Sequence, residues 1–198
     1  MDKLKYWASS WVLASVVMVH GAAGQEAAKV EGGPSLPAQY AATAIGESGA
    51  KGAKSFGLTI YVDGLTSNGE VQELLAILKN KGQDGLVSAM DGMKDKGRVA
   101  PTAGTGTGMP FVRIRADGKG GSHIILATNR PVAFGELYSG TRSTQYPIGV
   151  VVLDVDKNGK GTGKFAPVCK VKFNKRDELE VEHYGQKPFR LANVYLQK

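Results

Sequence analysis

The chain has few of the side chains from which catalytic and metal centres are built. It contains one cysteine and three histidines among its 198 residues. A single cysteine excludes a disulfide within the chain, so the fold has to depend on its hydrophobic core. Outside the N-terminal segment the histidines are His123 and His183, and no cluster with metal-ligand spacing occurs. The sequence therefore predicts neither a metal nor another cofactor.

Nucleotide-binding and serine-hydrolase motifs are also missing. Two glycine-rich stretches, 104–108 and 159–164, lack the spacing of a dinucleotide fingerprint or a P-loop. No Gly-x-Ser-x-Gly nucleophile elbow occurs either. Both glycine-rich stretches are predicted to be loops, and no nucleic acid partner is expected.

The N-terminal segment has the composition of a secretory signal. Lys3 and Lys5 supply a basic start, and an apolar run extends from Trp11 to Val19. This run is shorter than the ~20 apolar residues that a membrane-spanning helix needs. Small residues at 22–24 match the pattern of a signal-peptidase site, which favours cleavage there.

The sequence thus divides into three parts. Residues 1–24 are expected to be a cleavable secretory signal, 25–38 a flexible leader, and 39–198 a single globular α+β domain. The protein is expected in the periplasm or outside the cell, without a stable membrane span after cleavage. The net charge is +7 for the full chain and +6 without residues 1–24, which contain two lysines and one aspartate. This positive charge favours an anionic ligand or an acidic component of the cell envelope as a partner.

A helical pair is predicted in the first half of the chain. Ser67 and Glu70 form a capping-box pattern, and apolar residues then recur at helical spacing as far as Gly82. Asp84 begins a second segment with the same spacing, which includes Met90. Methionines at this spacing are interpreted as core residues rather than as metal ligands. The two segments predict a helical hairpin packed on a sheet.

The last quarter of the chain predicts antiparallel strands. Residues 147–155 form an unbroken run rich in β-branched side chains. In 169–173 and 179–183, apolar and charged residues alternate strictly. One register pairs lysines with glutamates on one face and apolar residues on the other, and it places Cys169 opposite His183.

The final strand predicts a β-bulge. Its apolar residues change parity at Asn193, and a bulge there keeps Phe189, Leu191, Val194 and Leu196 on one face. Short strands outnumber helices, and their spacing mostly suits hairpins. The predicted fold class is α+β: an antiparallel, twisted β-sheet or partly closed barrel of about seven to eight strands, with one α-helical hairpin packed on it.

The longest irregular connection, residues 129–146, is the first candidate for a binding site. It carries Arg130, Tyr138, Arg142 and Tyr146, a mixture of cations and aromatic rings that suits an anionic or sugar-like ligand. Loops on a rigid scaffold often carry function. The alternative interpretation is a structured loop with arginines on its surface.

Two further candidate sites rest on weaker patterns. Asp154, Asp156 and Asn158 have the oxygen spacing that begins a calcium loop, but no glutamate follows at its last position, and a hairpin turn needs the same residues. Cys169 and His183 could form a thiol–imidazole pair for nucleophilic catalysis. The predicted register points both of them inward, however, where cysteine usually serves as a small apolar residue.

The leading functional hypothesis is an exported, non-catalytic module that binds a ligand or partner through the sheet face or through the loop. A cell-envelope hydrolase that uses carboxylates or the cysteine–histidine pair is the alternative. A calcium-stabilised structural protein is a third hypothesis. No motif in the sequence decides between them.

Overall fold

A computed structural model of the chain describes residues 33–46, 55–132, 146–173, 179–183 and 187–197. The predicted secretory signal and most of the predicted leader lie outside these residues. The described part is built from ten strands and one helix.

The helix and the strands are numbered in chain order. They are β1 Ala38–Ile45, β2 Ser55–Val62, α1 Asn68–Asp91, β3 Gly97–Pro101, β4 Thr107–Met109, β5 Phe111–Ala116, β6 Ser122–Thr128, β7 Ile148–Val155, β8 Lys160–Phe173, β9 Leu179–His183 and β10 Phe189–Gln197.

The strands form one antiparallel sheet that curls into a nearly closed barrel. Their order is β4-β3-β2-β1-β10-β8-β7-β6-β5, and β9 pairs with β8 outside this path. The two ends of the order, β4 and β5, are consecutive in sequence and separated only by Pro110. The predicted α+β class with a dominant antiparallel sheet is confirmed, whereas the predicted number of strands is too low.

The seam of the barrel is joined by the loop that precedes α1. Thr66, which is buried, donates its backbone N–H to the carbonyl oxygen of Val112 over 2.8 Å. The N–H of Val112 in turn donates to the hydroxyl oxygen of Thr66 over 2.9 Å. The Arg113 guanidinium donates to the carbonyl oxygen of Thr66 over 2.7 Å. One buried threonine thus satisfies backbone groups that the edge of β5 would otherwise leave without partners.

The interior of the barrel is apolar. Its largest fully buried side chains include Tyr40, Leu58, Ile60, Met109, Ile124, Leu126, Leu153, Phe165 and Leu191. The hydroxyl of Tyr40 has no hydrogen-bond partner among the residues that the structure describes. Burial raises the pKa of this phenol to about 12, since an apolar environment disfavours its charged form.

Strand β7 is buried on both faces. Val151, Leu153 and Val155 belong to the barrel core. Val150 and Val152 face outwards and pack in a second cluster with α1. This double burial explains why the sequence of β7 is an unbroken apolar run instead of an alternating one.

Helix α1 packs on the outside of the barrel. Its N-terminus has the predicted capping box, in which the Glu70 N–H donates to the Ser67 hydroxyl and the Ser67 N–H donates to the Glu70 carboxylate. Leu74, Leu78, Leu86 and Met90 are buried against β7 and β8, so Met90 is a core residue. Within the described part of the chain, no helix combines the length and the apolar character that a membrane crossing requires.

The predicted helical hairpin is a single helix with a break. Gly82 has φ 66° and ψ −162°, which no right-handed helix contains. The two predicted segments therefore meet at one residue, without an intervening loop. Beside the break, the Gln83 side chain accepts a hydrogen bond of 2.8 Å from the N–H of Val171. The chain then returns to the start of α1, where Lys96 bonds Glu70 over 2.9 Å.

Two predictions for the last quarter are confirmed. The register of β8 and β9 pairs Cys169 with His183 and Lys172 with Glu180, as charge and apolar matching require. Strand β10 has a register shift between Leu191 and Val194. Leu191 and Val194 are both buried. Because they are three positions apart, both side chains can face the core only if a bulge lies between them.

Of the two predicted glycine-rich loops, 104–108 is a loop as far as Gly106, whereas 159–164 is mostly strand. Thr107–Met109 forms β4, and the second stretch lies in β8 from Lys160 onwards. Strand β3 is not predicted from the sequence. Glycine lowers the apparent strand propensity of a segment because it has no side chain to pack. In β8 it is required, because the position that a β-carbon of Gly161 would take overlaps the carbonyl oxygen of Asp154.

Candidate anion-binding face

Four side chains form a compact group on the outer surface of β8 and β10. Lys160 pairs with Tyr195, and Lys164 pairs with Arg190, in the register of the two strands. All four are exposed. Tyr195, at 47% exposure, is the one exposed large hydrophobic residue in the described part of the chain. We refer to Lys160, Lys164, Arg190 and Tyr195 as the basic face.

The alternation of β8 places both lysines on this surface. The strand begins Lys-Gly-Thr-Gly-Lys, so Lys160, Thr162 and Lys164 share the outer face and are exposed. The two glycines face the barrel, where a β-carbon on Gly163 would lie 2.9 Å from Leu153 and 3.3 Å from Leu191. The alternation of glycine with lysine and threonine in β8 thus places the small residues towards the barrel interior and the long cations on the outer surface.

The bulge in β10 places the tyrosine beside the cations. Arg190 and Tyr195 are five positions apart, so in a regular strand their side chains would point to opposite faces. Asn193, which has φ 51°, takes up the extra residue. Beyond it, Tyr195 points outwards with Arg190, while Val194 stays in the core. The bulge therefore creates the basic face.

The neighbouring strands continue this surface with small and uncharged side chains. On β1, Ala41 stands opposite Tyr195. The next row contains Gln197, Gln39 and Tyr61 on β10, β1 and β2. The two glutamine side chains hydrogen-bond to each other.

A fourth cation lies at the far side of this row. Arg98 on β3 is the register partner of Tyr61, and its guanidinium carbon lies 4.1 Å from the centre of that ring. The surface from β8 to β3 therefore has cations at its borders and amides, small residues and two tyrosine rings between them.

Acidic residues are scarce on this surface. Strands β8, β10, β1, β2 and β3 contain none. Two carboxylates border this surface. Asp156, in the turn before β8, accepts the backbone N–H of Lys160 over 2.9 Å. Asp154 on β7 has Thr162 as its register partner on β8. Its carboxylate lies 2.5 Å from Nδ1 of His123. The strands of the basic face thus contain cations but no carboxylates, and Asp156 in the adjoining turn interacts electrostatically with Lys160.

The predicted loop site is only partly described. Tyr138 and Arg142 lie outside the described residues, and Arg130 is exposed just after β6. The hydroxyl of Tyr146 donates to Glu182 over 2.9 Å. Together with the Lys172 ammonium at 2.6 Å, this bond lowers the pKa of the Glu182 carboxyl. Tyr146 therefore contributes to the attachment of β9.

The predicted calcium residues form a hairpin turn. The Asp156 carboxylate accepts backbone N–H groups from Asn158 over 2.8 Å and from Lys160 over 2.9 Å. These bonds, with that of Lys160 the stronger influence, lower the pKa of Asp156. Gly159 completes the turn with φ 71°, and Asp154 contacts His123 instead. Among the described residues, no three His, Cys, Asp or Glu side chains are grouped as metal ligands.

The predicted nucleophile pair has the expected register but an unfavourable environment. Cys169 and His183 are cross-strand partners. The thiol is fully buried between the sheet and α1. Burial raises its pKa to about 12, whereas a nucleophilic cysteine needs a lowered pKa and access to solvent. These observations do not support cysteine catalysis.

The sequence contained a signal for the basic face that was interpreted differently. The glycines of 159–164 predict a loop, and the lysines among them carry no prediction of their own. Lysine and threonine alternating with glycine also fits a strand with one polar face. With the predicted bulge at Asn193, that interpretation places both lysines on one face of their strand and Arg190 and Tyr195 on one face of theirs. The structure shows that these two strands pair.

No protein-family model, curated protein or solved structure matches this chain.

Proposed function

We propose that the protein is an exported, non-catalytic module that binds an anionic ligand through the basic face. The observation that carries this proposal is the pairing of Lys160 with Tyr195 and of Lys164 with Arg190 on an exposed surface. The hydrogen-bonded strands β8 and β10 hold these three cationic side chains and the Tyr195 ring on one surface of the sheet. Such a surface attracts anions and offers a ring for stacking.

The strength of binding should depend on the number of contacts. An exposed ion pair contributes at most about 1 kcal/mol, because water and salt screen it. At ~0.1 M salt the screening length is ~10 Å, so each cation acts on its near surroundings only. A polymer that contacts several cations at once gains affinity that a single small anion lacks. We therefore expect weak binding of simple anions and salt-sensitive binding of anionic polymers.

Loss of two cations should weaken polymer binding. The Lys164→Ser/Arg190→Ser variant is expected to bind polygalacturonate and polyphosphate about 10-fold more weakly than the unaltered chain, because each exposed contact is worth about 0.5–1 kcal/mol. Affinity electrophoresis at low and at physiological salt measures the change. Circular dichroism of the variant checks that the fold is retained.

The matched control removes the same charge from another surface. Lys81 and Lys94 are both exposed, the first on α1 and the second just after it. The Lys81→Ser/Lys94→Ser variant should change affinity less than 2-fold if the basic face is the site. Equal losses in the two variants, or no binding of either polymer by the unaltered chain, would contradict the proposal.

The export half of the proposal rests on residues 1–24. When the full chain is expressed in a bacterium, the recovered protein should begin after Ala23 or Gly24, as N-terminal sequencing or intact mass would show. A Val16→Asp change should block processing, because it places a charge in the apolar run. Recovery of the full-length chain from the cytoplasm, with no processing of the unaltered signal, would contradict export.

A further inference from the structure

We infer that the anionic ligand is an acidic polysaccharide whose charged units are separated by uncharged ones, and that one sugar ring stacks on Tyr195. This inference rests on the proposed function and specifies the ligand class for the same face. It is carried by the spacing of the cations and by the chemistry of the surface between them.

Apart from Lys164 and Arg190, which are cross-strand neighbours, the cations of this surface are far apart compared with the charges of a nucleic acid. Lys160 and Lys164 are four residues apart in β8, which separates them by about 13 Å along the strand. Tyr195 and Arg98 are separated by the strands β1 and β2, so about 14 Å of sheet lies between their strands. A DNA strand carries a phosphate every ~3.4 Å along its helix axis. A ligand with such dense charge would leave most of its anions on uncharged protein surface.

The surface between the cations offers uncharged hydrogen-bonding groups. The amides of Gln39 and Gln197 lie side by side, and Thr43 and Thr59 are on the outer face of β1 and β2. Primary amides both donate and accept hydrogen bonds, and hydroxyls do the same. Sugar hydroxyls need partners of that kind. A phosphate chain only accepts hydrogen bonds, so it has no donors for the oxygen atoms of these amides and hydroxyls.

Tyr195 has the surroundings that a stacked ring requires. Ala41 is its cross-strand neighbour on β1, so no bulky side chain stands beside the ring on that strand. The exposed C–H face of a sugar ring is apolar and covers an aromatic ring well, while the phenol oxygen stays in water. Single-stranded nucleic acids are instead usually bound by several aromatic rings in a charged groove. Tyr195 is the one exposed aromatic residue of this kind in the described part of the chain.

The test compares two polymers of known charge spacing. Hyaluronan alternates a carboxylated sugar with an uncharged one, whereas polyphosphate carries a charge on every unit. At equal concentration of negative charge and at physiological salt, we expect the protein to bind hyaluronan oligosaccharides at least 5-fold more tightly than polyphosphate. Affinity should rise steeply once the oligosaccharide is long enough to reach from Lys160 to the Lys164–Arg190 pair.

Substitutions of Tyr195 separate stacking from charge. Tyr195→Ala should weaken hyaluronan binding about 10-fold and polyphosphate binding less than 2-fold, since only the first uses the ring. Tyr195→Phe keeps the ring and should retain hyaluronan binding within 2-fold. Unequal effects of this kind require the proposed stacking, because a merely structural role of Tyr195 would affect both polymers alike.

Other outcomes would overturn the inference and leave the proposed function in place. One is polyphosphate binding as tightly as hyaluronan, with the Lys164→Ser/Arg190→Ser variant weakening both. A second is single-stranded DNA binding more tightly than either, which would identify a nucleic acid surface instead. A third is an equal effect of Tyr195→Ala on all polymers. Failure of every polymer to bind would contradict the proposed function itself.

Discussion

Replacing Gly161 by alanine is expected to destabilise the protein by about 3 kcal/mol, the upper end of the usual cost of overpacking. The β-carbon would occupy the position of the Asp154 carbonyl oxygen on β7. Backbone atoms of a paired strand cannot move aside as a flexible side chain can. The change must therefore separate β7 from β8 locally. Urea unfolding followed by far-ultraviolet circular dichroism measures the loss.

The same substitution at another glycine should have the opposite sign. Gly69 lies in the exposed first turn of α1, and a β-carbon there has nothing within 4 Å. Gly69→Ala should leave stability unchanged or raise it by up to about 1 kcal/mol, because alanine has the higher helix propensity. If Gly161→Ala were as harmless as Gly69→Ala, the close pairing of β7 with β8 at this position would be wrong.

Stability should fall steeply at alkaline pH, and Cys169 should account for much of the fall. Burial raises the thiol pKa from an ordinary 9.0 to about 12 in the folded state. Between these values the unfolded chain loses the thiol proton and the folded chain keeps it. The contribution is therefore fully present below pH 9 and decreases as the pH rises towards 12, by about 1.4 kcal/mol per pH unit. Tyr40 adds a change of the same sign above its ordinary pKa of 10.0.

The Cys169→Ala variant isolates this effect. Its free energy of unfolding should be lower at pH 8, because a small cavity remains, but it should fall less between pH 9 and 11 by about 1.4 kcal/mol per pH unit. Iodoacetamide at pH 8 should modify Cys169 only after the protein is unfolded. Parallel pH profiles of the two proteins, or rapid alkylation of the native thiol, would contradict the burial of Cys169 and revive the hydrolase hypothesis.

The parts of the fold that the sequence predicted are those in which two independent patterns agree. The register of β8 with β9 follows from charge pairing and from apolar matching, and both select Cys169 opposite His183. The bulge at Asn193 follows from the requirement that Leu191 and Val194 share the core. The capping box of α1 follows from a local pattern that needs no tertiary contact.

The parts that were missed depend on contacts between distant strands. β3 is a short strand, and its pairing partner β2 is separated from it in the sequence by the whole of α1. The glycines of β8 are explained by the close approach of β7 and of Leu191, which no local pattern reveals. The basic face was missed for the same reason. Lys160 and Tyr195 are neighbours only because β8 and β10 pair, and because the bulge turns the tyrosine outwards.

The double burial of β7 has a consequence for motion. A strand that is paired on both sides and packed on both faces opens to solvent only when much of the domain opens, so its amides should exchange hydrogen most slowly. Strand β8, which carries two of the cations, is hydrogen-bonded directly to it. The face that we propose for the ligand is therefore held in its binding geometry before the ligand arrives. Association then costs little ordering of the backbone, and a modest number of surface contacts can suffice.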